Sequence, residues 1–88
     1  MLTEIAYVLV KSEVGREIEV LARFKELSKV KEISAITGPY DYLIKIEGED
    51  MKEIGNTLLY QLRQIPGVND TLTMVVVATY QPKQSSPS

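Results

Sequence analysis

Residues 30–54 read VKEISAITGPYDYLIKIEGEDMKEI, and this stretch decides the fold. Residues 30–37 and 42–47 are rich in the β-branched and aromatic side chains that are typical of strands. Gly38 and Pro39 lie between them and favour a tight connection. Two strands joined by such a short connection form a hairpin, so the centre of the chain is predicted to be a β-hairpin.

A second helix and a last strand are predicted after the hairpin. Asp50 is a good N-cap, and Pro66 and Gly67 end the helical pattern. One apolar stripe at helical spacing lies between these limits: Met51, Ile54, Leu58, Leu62 and Ile65. Residues 71–80, TLTMVVVATY, then predict a long strand.

The residues before the hairpin complete the pattern. Residues 5–10 predict a strand, and residues 15–27 predict a helix with charged residues on its opposite side. The apolar stripe of this first helix is Val14, Ile18, Leu21 and Phe24, widened by Val20 and Leu27. The order βαββαβ favours an α+β, ferredoxin-like fold, in which both helices cover one face of a four-stranded antiparallel sheet. We expect one domain at residues 1–80 and a polar, frayed tail at residues 81–88.

The first and last strands are apolar on both faces, which is unusual for a sheet with one face in water. Alternate positions on both sides of the first strand are apolar: Ile5, Tyr7 and Leu9 on one side, Ala6, Val8 and Val10 on the other. A chain of 88 residues is also short of interior when it is alone. The second face is therefore predicted to be covered by another copy, in an obligate homo-oligomer.

Composition excludes several classes of function. The net charge is −2, and no basic face is visible in the sequence, so nucleic acid is not expected as a direct ligand. The absence of Cys and His excludes thiolate chemistry, the usual zinc sites and the commonest general base. The sequence has no membrane-spanning run and no signal-peptide pattern. We therefore expect a cytoplasmic protein that has no metal site, needs no cofactor, is not an enzyme and does not bind membranes.

Two segments carry a family resemblance. TGPYDYLIKIEGED at residues 37–50 and PGVNDTLTMVVV at residues 66–77 resemble the effector-binding module, or RAM domain, of the leucine-responsive regulatory protein/AsnC family. The Gly-x-x-Asp-Tyr hairpin of that family is matched by Gly38, Asp41 and Tyr42. Its Pro-Gly-Val turn and Thr-x-Thr strand are matched by Pro66, Gly67, Val68, Thr71 and Thr73.

The resemblance implies an assembly and an effector. Family modules pack sheet against sheet into a dimeric α/β barrel, and the dimers form octamers or similar rings. Small effectors, usually amino acids, bind between dimers near the hairpin. Full-length members carry a helix-turn-helix before this module, whereas here the first predicted strand starts within five residues of Met1. We therefore expect a stand-alone module that co-assembles with a full-length regulator and does not contact DNA itself.

The resemblance also implies roles for particular residues. Gly38 and Tyr40 are expected to offer backbone contacts, and Asp41 is expected to bind the α-ammonium group of an amino acid. The remaining candidates are Tyr42 and Met74 as walls and Thr73 as a hydroxyl partner. Pro39 lacks an N–H group, so Arg63 is an alternative contact for the effector's carboxylate.

Other interpretations stay open at the level of sequence. The hairpin can be a plain turn in which Asp41 accepts hydrogen bonds from nearby backbone amides. The chain can also be a small dimeric α/β-barrel enzyme, with Tyr and carboxylate side chains in a cavity between two sheets. A third alternative is an ACT-type regulatory subunit, whose domains pair side by side rather than face to face.

Overall fold

The computed structural model describes residues 3–83, with the backbone alone at residues 56–58, and in that part the chain forms four strands and two helical regions. The elements are β1 (Glu4–Ser12), α1 (Glu17–Phe24), β2 (Val30–Ala35), β3 (Tyr42–Gly48), a π-helical segment (Glu53–Leu59), α2 (Tyr60–Gln64) and β4 (Val68–Val75). The predicted order βαββαβ is confirmed.

The four strands form one antiparallel sheet in the order β2-β3-β1-β4, so β1 and β3 are central and β2 and β4 are the edges. The α+β class and the four-stranded antiparallel sheet are therefore confirmed. The bounds of the first three strands differ from the predicted ones by two residues or fewer at either end, which is the scatter expected where strands fray or extend.

The two faces of the sheet differ in what covers them. The inner face packs against the helices, and its core consists of apolar residues from every layer: Ala6, Val8, Val10, Val20, Phe24, Tyr42, Ile44, Ile46, Ile54, Leu62 and Ile65. The outer face has no covering element among the described residues. Its side chains are half-buried or exposed: Ile5, Tyr7, Leu9, Leu43, Lys45, Glu47, Leu72 and Met74. The sheet is thus apolar on both sides at its centre, as the alternation in β1 indicates.

Helix α1 is shorter than predicted, and only the later part of the predicted apolar stripe contacts the core. Val14 is 97% exposed and Ile18 is 84% exposed, whereas Val20 and Phe24 are fully buried. The predicted stripe is therefore wrong at its first two positions. Gly15 has φ of +89°, which is not a helical conformation, so the helix begins only at Glu17. Val20 and Phe24 are four residues apart and form the contact with the sheet.

The second helical region is not a continuous α-helix, so that part of the prediction is wrong. Asp50 does cap its start, because its Oδ1 accepts a hydrogen bond of 2.8 Å from the N–H of Glu53. The wider π-helical turns follow at once and include Gly55, a weak helix former. Ile54 is buried as predicted, Met51 is exposed, and the predicted contact of Leu58 lies outside the described side chains.

Strand β4 starts and ends earlier than residues 71–80. It begins at Val68 directly after Gly67, and it ends at Val75, which pairs with Ala6 of β1. Residues 76–83 have no regular secondary structure, and residues 84–88 of the predicted tail lie outside the described residues. No helix within residues 3–83 is long and apolar enough to span a membrane.

Candidate functional site

One end of the sheet gathers the hairpin, the end of β1 and the start of β4. The N–H of Asp41 donates to the carbonyl oxygen of Val10 at 2.8 Å, which holds the hairpin against β1. The N–H of Glu13 donates to the carbonyl oxygen of Gly67 at 2.8 Å, which brings the turn before β4 to the same place. We call this region, residues 10–13, 36–41 and 66–71, the hairpin end.

The Asp41 carboxylate has a structural role at the hairpin end. Its Oδ2 accepts a hydrogen bond of 2.7 Å from the backbone N–H of Ser12, and the pair is partly buried. The turn interpretation is therefore correct that Asp41 bonds a backbone amide, but the amide belongs to β1, 29 positions away, rather than to the turn. Charge-assisted bonds of this kind are among the stronger ones in proteins. Asp41 thus fixes the hairpin on β1.

Gly38 leaves the tip of the hairpin open. Its φ is +114°, a backbone conformation that residues other than glycine rarely adopt. No atom lies within 4 Å of the position that a Cβ would occupy. Gly38 and Pro39 are both exposed. The backbone at the tip is therefore accessible to a small ligand, although Pro39 contributes a carbonyl group and no N–H group.

Lys11 is a member of the site that the sequence analysis missed. Its Nζ donates a hydrogen bond of 3.3 Å to the carbonyl oxygen of Pro39, so an exposed ammonium group stands over the hairpin tip. Lys11 also pairs across the sheet with Asp70 of β4. In the sequence, Lys11 is recognisable only as the next outward-facing position of β1 after Ile5, Tyr7 and Leu9. Its contact with the hairpin follows from the register of β1, which the sequence does not reveal.

Tyr42 belongs to the core rather than to an open site. It is buried on the inner face, where its ring meets that of Phe24 edge to face at 6.1 Å. Its Oη donates a hydrogen bond of 2.7 Å to the carbonyl oxygen of Glu17 at the start of α1. Burial raises the pKa of the Tyr42 phenol, and the nearby carboxylates of Glu17 and Asp41 raise it further.

Thr73 and Met74 lie on opposite faces of β4. Thr73 pairs with Val8 and faces inward, and its hydroxyl oxygen is buried with no hydrogen-bond partner within the described part of the chain. Met74 pairs with Tyr7 and is exposed on the outer face. These two residues therefore do not line one surface on a single copy of the chain.

Arg63 lies at the hairpin end on the helix side. Its Nε donates to the hydroxyl oxygen of Thr71 at 3.4 Å, and both residues line a shallow polar depression together with Val68, Asn69 and Asp70. Thr71 faces inward, whereas Lys11 and Asp70 occupy an outward-facing pair. Arg63 and Lys11 thus offer cations on opposite sides of the sheet.

The structure brings together some of the predicted site residues and separates others. Gly38, Tyr40 and Asp41 share the hairpin, and Lys11 joins them from β1. Tyr42 lies beneath α1, and the β4 candidates stand further along the sheet. The hairpin end therefore combines the Asp41 carboxylate, the Lys11 ammonium group and the accessible backbone of the hairpin tip. No cluster of three potential metal-ligating side chains occurs within residues 3–83.

Most of the chain matches a known protein family. Residues 5–86 match the family described as the Lrp/AsnC ligand binding domain, which is nearly the whole chain. The chain belongs to the Lrp/AsnC ligand binding domain family. The family resemblance drawn from the hairpin and the Pro-Gly-Val turn is thereby confirmed.

Several relatives of this Lrp/AsnC domain are transcriptional regulators. The HTH-type transcriptional regulator FL11 of Pyrococcus abyssi is 31% identical over 83 residues, which cover 94% of this chain and 54% of the regulator. The leucine-responsive regulatory protein of Haemophilus influenzae is 36% identical over 77 residues, which cover 88% of this chain and 45% of that protein. The chain thus spans about half the length of the curated relatives that it matches.

Solved structures share the fold of this Lrp/AsnC domain. FFRP-DM1 superposes with a TM-score of 0.79 at 27% identity, and the match covers 84% of this chain and 99% of the other. The transcriptional regulator NMB0573 of Neisseria meningitidis, described as an L-Met complex, superposes with a TM-score of 0.79 at 24% identity. That match covers 96% of this chain and 56% of the regulator.

Replacing Tyr42 by Phe in this Lrp/AsnC domain is expected to make stability less sensitive to alkaline pH. The raised pKa means that the folded chain holds the phenol proton to a higher pH than the unfolded chain does. The stability from the neutral phenol is therefore complete below about pH 10 and is lost as pH rises through the folded pKa. The Tyr42–Glu17 hydrogen bond contributes about 0.5–1.5 kcal/mol at neutral pH.

Urea denaturation of both proteins from about pH 8 to about pH 11 measures this difference. The Tyr42→Phe variant is expected to be less stable than the parent at the lower pH, and the difference between their free energies of unfolding should narrow as pH rises. A difference that stays constant over the whole range would contradict the raised pKa of Tyr42.

Proposed function

We propose that this Lrp/AsnC domain is a non-enzymatic sensor that binds a free amino acid at the hairpin end. The observation that carries this proposal is the pair of opposite charges at an open backbone tip. Asp41 lies in the hairpin, and the Lys11 ammonium group stands 3.3 Å from the carbonyl oxygen of Pro39. A zwitterion needs both an anion and a cation at short range, together with backbone groups that complete its hydrogen bonds.

Each charged group has a matching role toward an amino acid. The Asp41 carboxylate uses one oxygen for the N–H of Ser12, and a carboxylate has further acceptor sites that an α-ammonium group can use. Lys11 supplies the cation for the α-carboxylate, in place of the N–H group that Pro39 lacks. The related fold of the Neisseria regulator, described as an L-Met complex, is consistent with a ligand of this class.

The proposed sensor works as an assembly of copies. The outer face has an apolar centre formed by Tyr7, Leu9, Leu43 and Leu72, and apolar sheet faces of this kind are normally covered. We infer that two copies pack outer face to outer face and that dimers associate further into an octamer or a similar ring. On one copy the hairpin end is open to solvent, so a neighbouring copy is expected to close the site.

Linkage between binding and assembly gives the mechanism. A ligand that binds the assembled state more tightly than the separated copies shifts the equilibrium toward assembly, in proportion to its differential affinity. Two of the curated relatives are transcriptional regulators of about twice this length. We propose that this domain co-assembles with such a full-length regulator and changes its state when the amino acid binds.

Chemical denaturation in the presence of each of the twenty amino acids tests the proposal. A ligand at about 100 times its dissociation constant adds about 2.7 kcal/mol of stability. We expect such a shift for one chemical group of amino acids. The Asp41→Asn variant keeps an acceptor for the Ser12 amide but removes the charge, so it should stay folded and lose most of the shift. Lys11→Gln should do the same.

Two matched controls separate the site from general charge effects. Glu49→Gln removes an exposed carboxylate just after β3, at the opposite end of the sheet from the hairpin. Lys31→Gln removes an exposed ammonium group that also bonds a backbone carbonyl, that of Ser28 at 3.0 Å, near the start of β2. Both controls should retain the full shift. An unchanged shift in Asp41→Asn and Lys11→Gln would refute the site, and no shift with any amino acid would refute the sensor.

A further inference from the structure

Residues 76–83 leave the sheet as a segment that we call the C-terminal arm. The N–H of Val76 donates to the carbonyl oxygen of Ile5 at 2.9 Å, and this bond continues the pairing of β4 with β1 by one step. Beyond it, within residues 3–83, the arm forms no backbone hydrogen bond to the rest of the chain. Every residue from 77 to 83 is exposed. The arm therefore has free backbone groups along most of its length.

The arm has the composition of a strand that is paired. Its first five residues, Val76, Val77, Ala78, Thr79 and Tyr80, are mostly β-branched or aromatic. Such residues favour strands because they pack against neighbouring strands, and beyond Val76 the arm pairs with no strand within residues 3–83. Val77 is 96% exposed and Tyr80 is 87% exposed. Unpaired apolar strands of this kind associate with other chains unless they are covered.

The dimensions of the chain agree with an arm that lies beside the start of β1 at residues 76–79 and extends past it. The radius of gyration is 14.7 Å, and the longest principal extent is 47 Å. A compact domain of this length has a radius of gyration of about 12 Å. The excess indicates that part of the chain extends beyond the packed body, and the exposure of residues 77–83 identifies the arm as a contributor.

We propose that the arm of each copy docks along the sheet of a second copy of this chain and extends the outer-face interface. This rests on the face-to-face dimer of the proposed function. The arm follows β4, whose residues Leu72 and Met74 lie on the outer face. A second copy that packs on this face is therefore adjacent to the arm. Residues 72–82 carry no charge, which matches the apolar centre of the face rather than a charged partner.

The area of the outer face supports the same occupant. Four strands spaced about 4.8 Å apart, with about seven paired residues of about 3.3 Å each, give a projected area of about 440 Å². A stable interface buries about 800 Å² on each partner. Side chains in relief make the accessible area of the face larger than its projection, so the outer face supplies a large part of such an interface. Two arms, one from each copy, add surface on both partners of a symmetric dimer.

Hydrogen exchange measured across a dilution series tests the proposal. Above the dimer dissociation constant, the amides of residues 77–80 should be protected, and below it they should exchange at the rate of an unstructured peptide. Val77→Asp should raise the dissociation constant at least tenfold in sedimentation. Gln61→Asp, which adds the same charge at an exposed position of α2, should change it less than twofold.

Each outcome bears on a definite part of the proposal. A dimer whose arm amides stay unprotected, or whose Val77→Asp and Gln61→Asp variants dissociate alike, would overturn the arm proposal and leave the sheet dimer intact. Arm amides that are protected equally in the monomer would also overturn it, because the arm would then lie on its own chain. A monomer at every concentration would overturn the dimer and the arm proposal together.

Discussion

Replacing Gly67 by alanine is expected to lower the free energy of unfolding by about 2–5 kcal/mol. Gly67 has φ of +99°, where a residue with a Cβ is strained by about 1–2 kcal/mol. A Cβ there would also lie 2.8 Å from Cγ2 of Val20 and 3.3 Å from Cβ of Arg16. Val20 is fully buried, so it has no room to yield, and overpacking of this kind costs about 1–3 kcal/mol.

Gly15→Ala is the matched control for this prediction. Gly15 also has a positive φ, +89°, but nothing lies within 4 Å of its Cβ position. It should therefore lose about 1–2 kcal/mol from backbone strain alone. Urea denaturation of both variants and the parent at one protein concentration measures the difference. Equal losses in the two variants would show that α1 moves aside at no cost and that Gly67 is needed for its backbone conformation alone.

The order of the elements follows from local patterns, whereas the orientation of α1 does not. The apolar run of β1 and the Gly38–Pro39 connection predict the strands from sequence. In α1, by contrast, Ile18 and Val20 both belong to apolar spacings of three or four residues. Periodicity cannot choose between them. Tertiary contacts determine which side of α1 faces the sheet. Val20 packs beside Gly67, and the carbonyl group of Glu17 accepts a hydrogen bond from the Tyr42 hydroxyl.

The candidate site was predictable in part for a similar reason. Gly38 and Asp41 are recognisable from the hairpin motif, because a glycine permits the positive φ and an aspartate supplies the charge. Lys11 is not recognisable from sequence, because its contact with Pro39 depends on the register that brings the end of β1 beside the hairpin. Tyr42 was assigned to a ligand wall, although it shares the inner side of β3 with Ile44 and Ile46. The alternation of side chains along a strand is enough to place Tyr42 on the same side as Ile44 and Ile46.

Replacing Leu9 by lysine is expected to raise the dissociation constant of the proposed face-to-face dimer at least about a hundredfold. Leu9 pairs with Leu43 on β3 and with Leu72 on β4, so it lies at the apolar centre of the outer face. Burying a leucine contributes about 1.5–3 kcal/mol, and an unpaired ammonium group buried in its place opposes association further. A face-to-face dimer is symmetric, so each substitution acts twice. Sedimentation over a dilution series measures the change.

Ala22→Lys adds the same charge on the exposed side of α1, in the helix layer, and should leave the dimer intact. If Ala22→Lys separates the copies and Leu9→Lys does not, the interface lies on the helices, and the outer face must have another occupant. The same variants also report on the sensor. A site that needs more than one copy loses its ligand when the copies separate, by linkage. Leu9→Lys should therefore abolish the amino-acid-dependent gain in stability, although it leaves Asp41 and Lys11 in place.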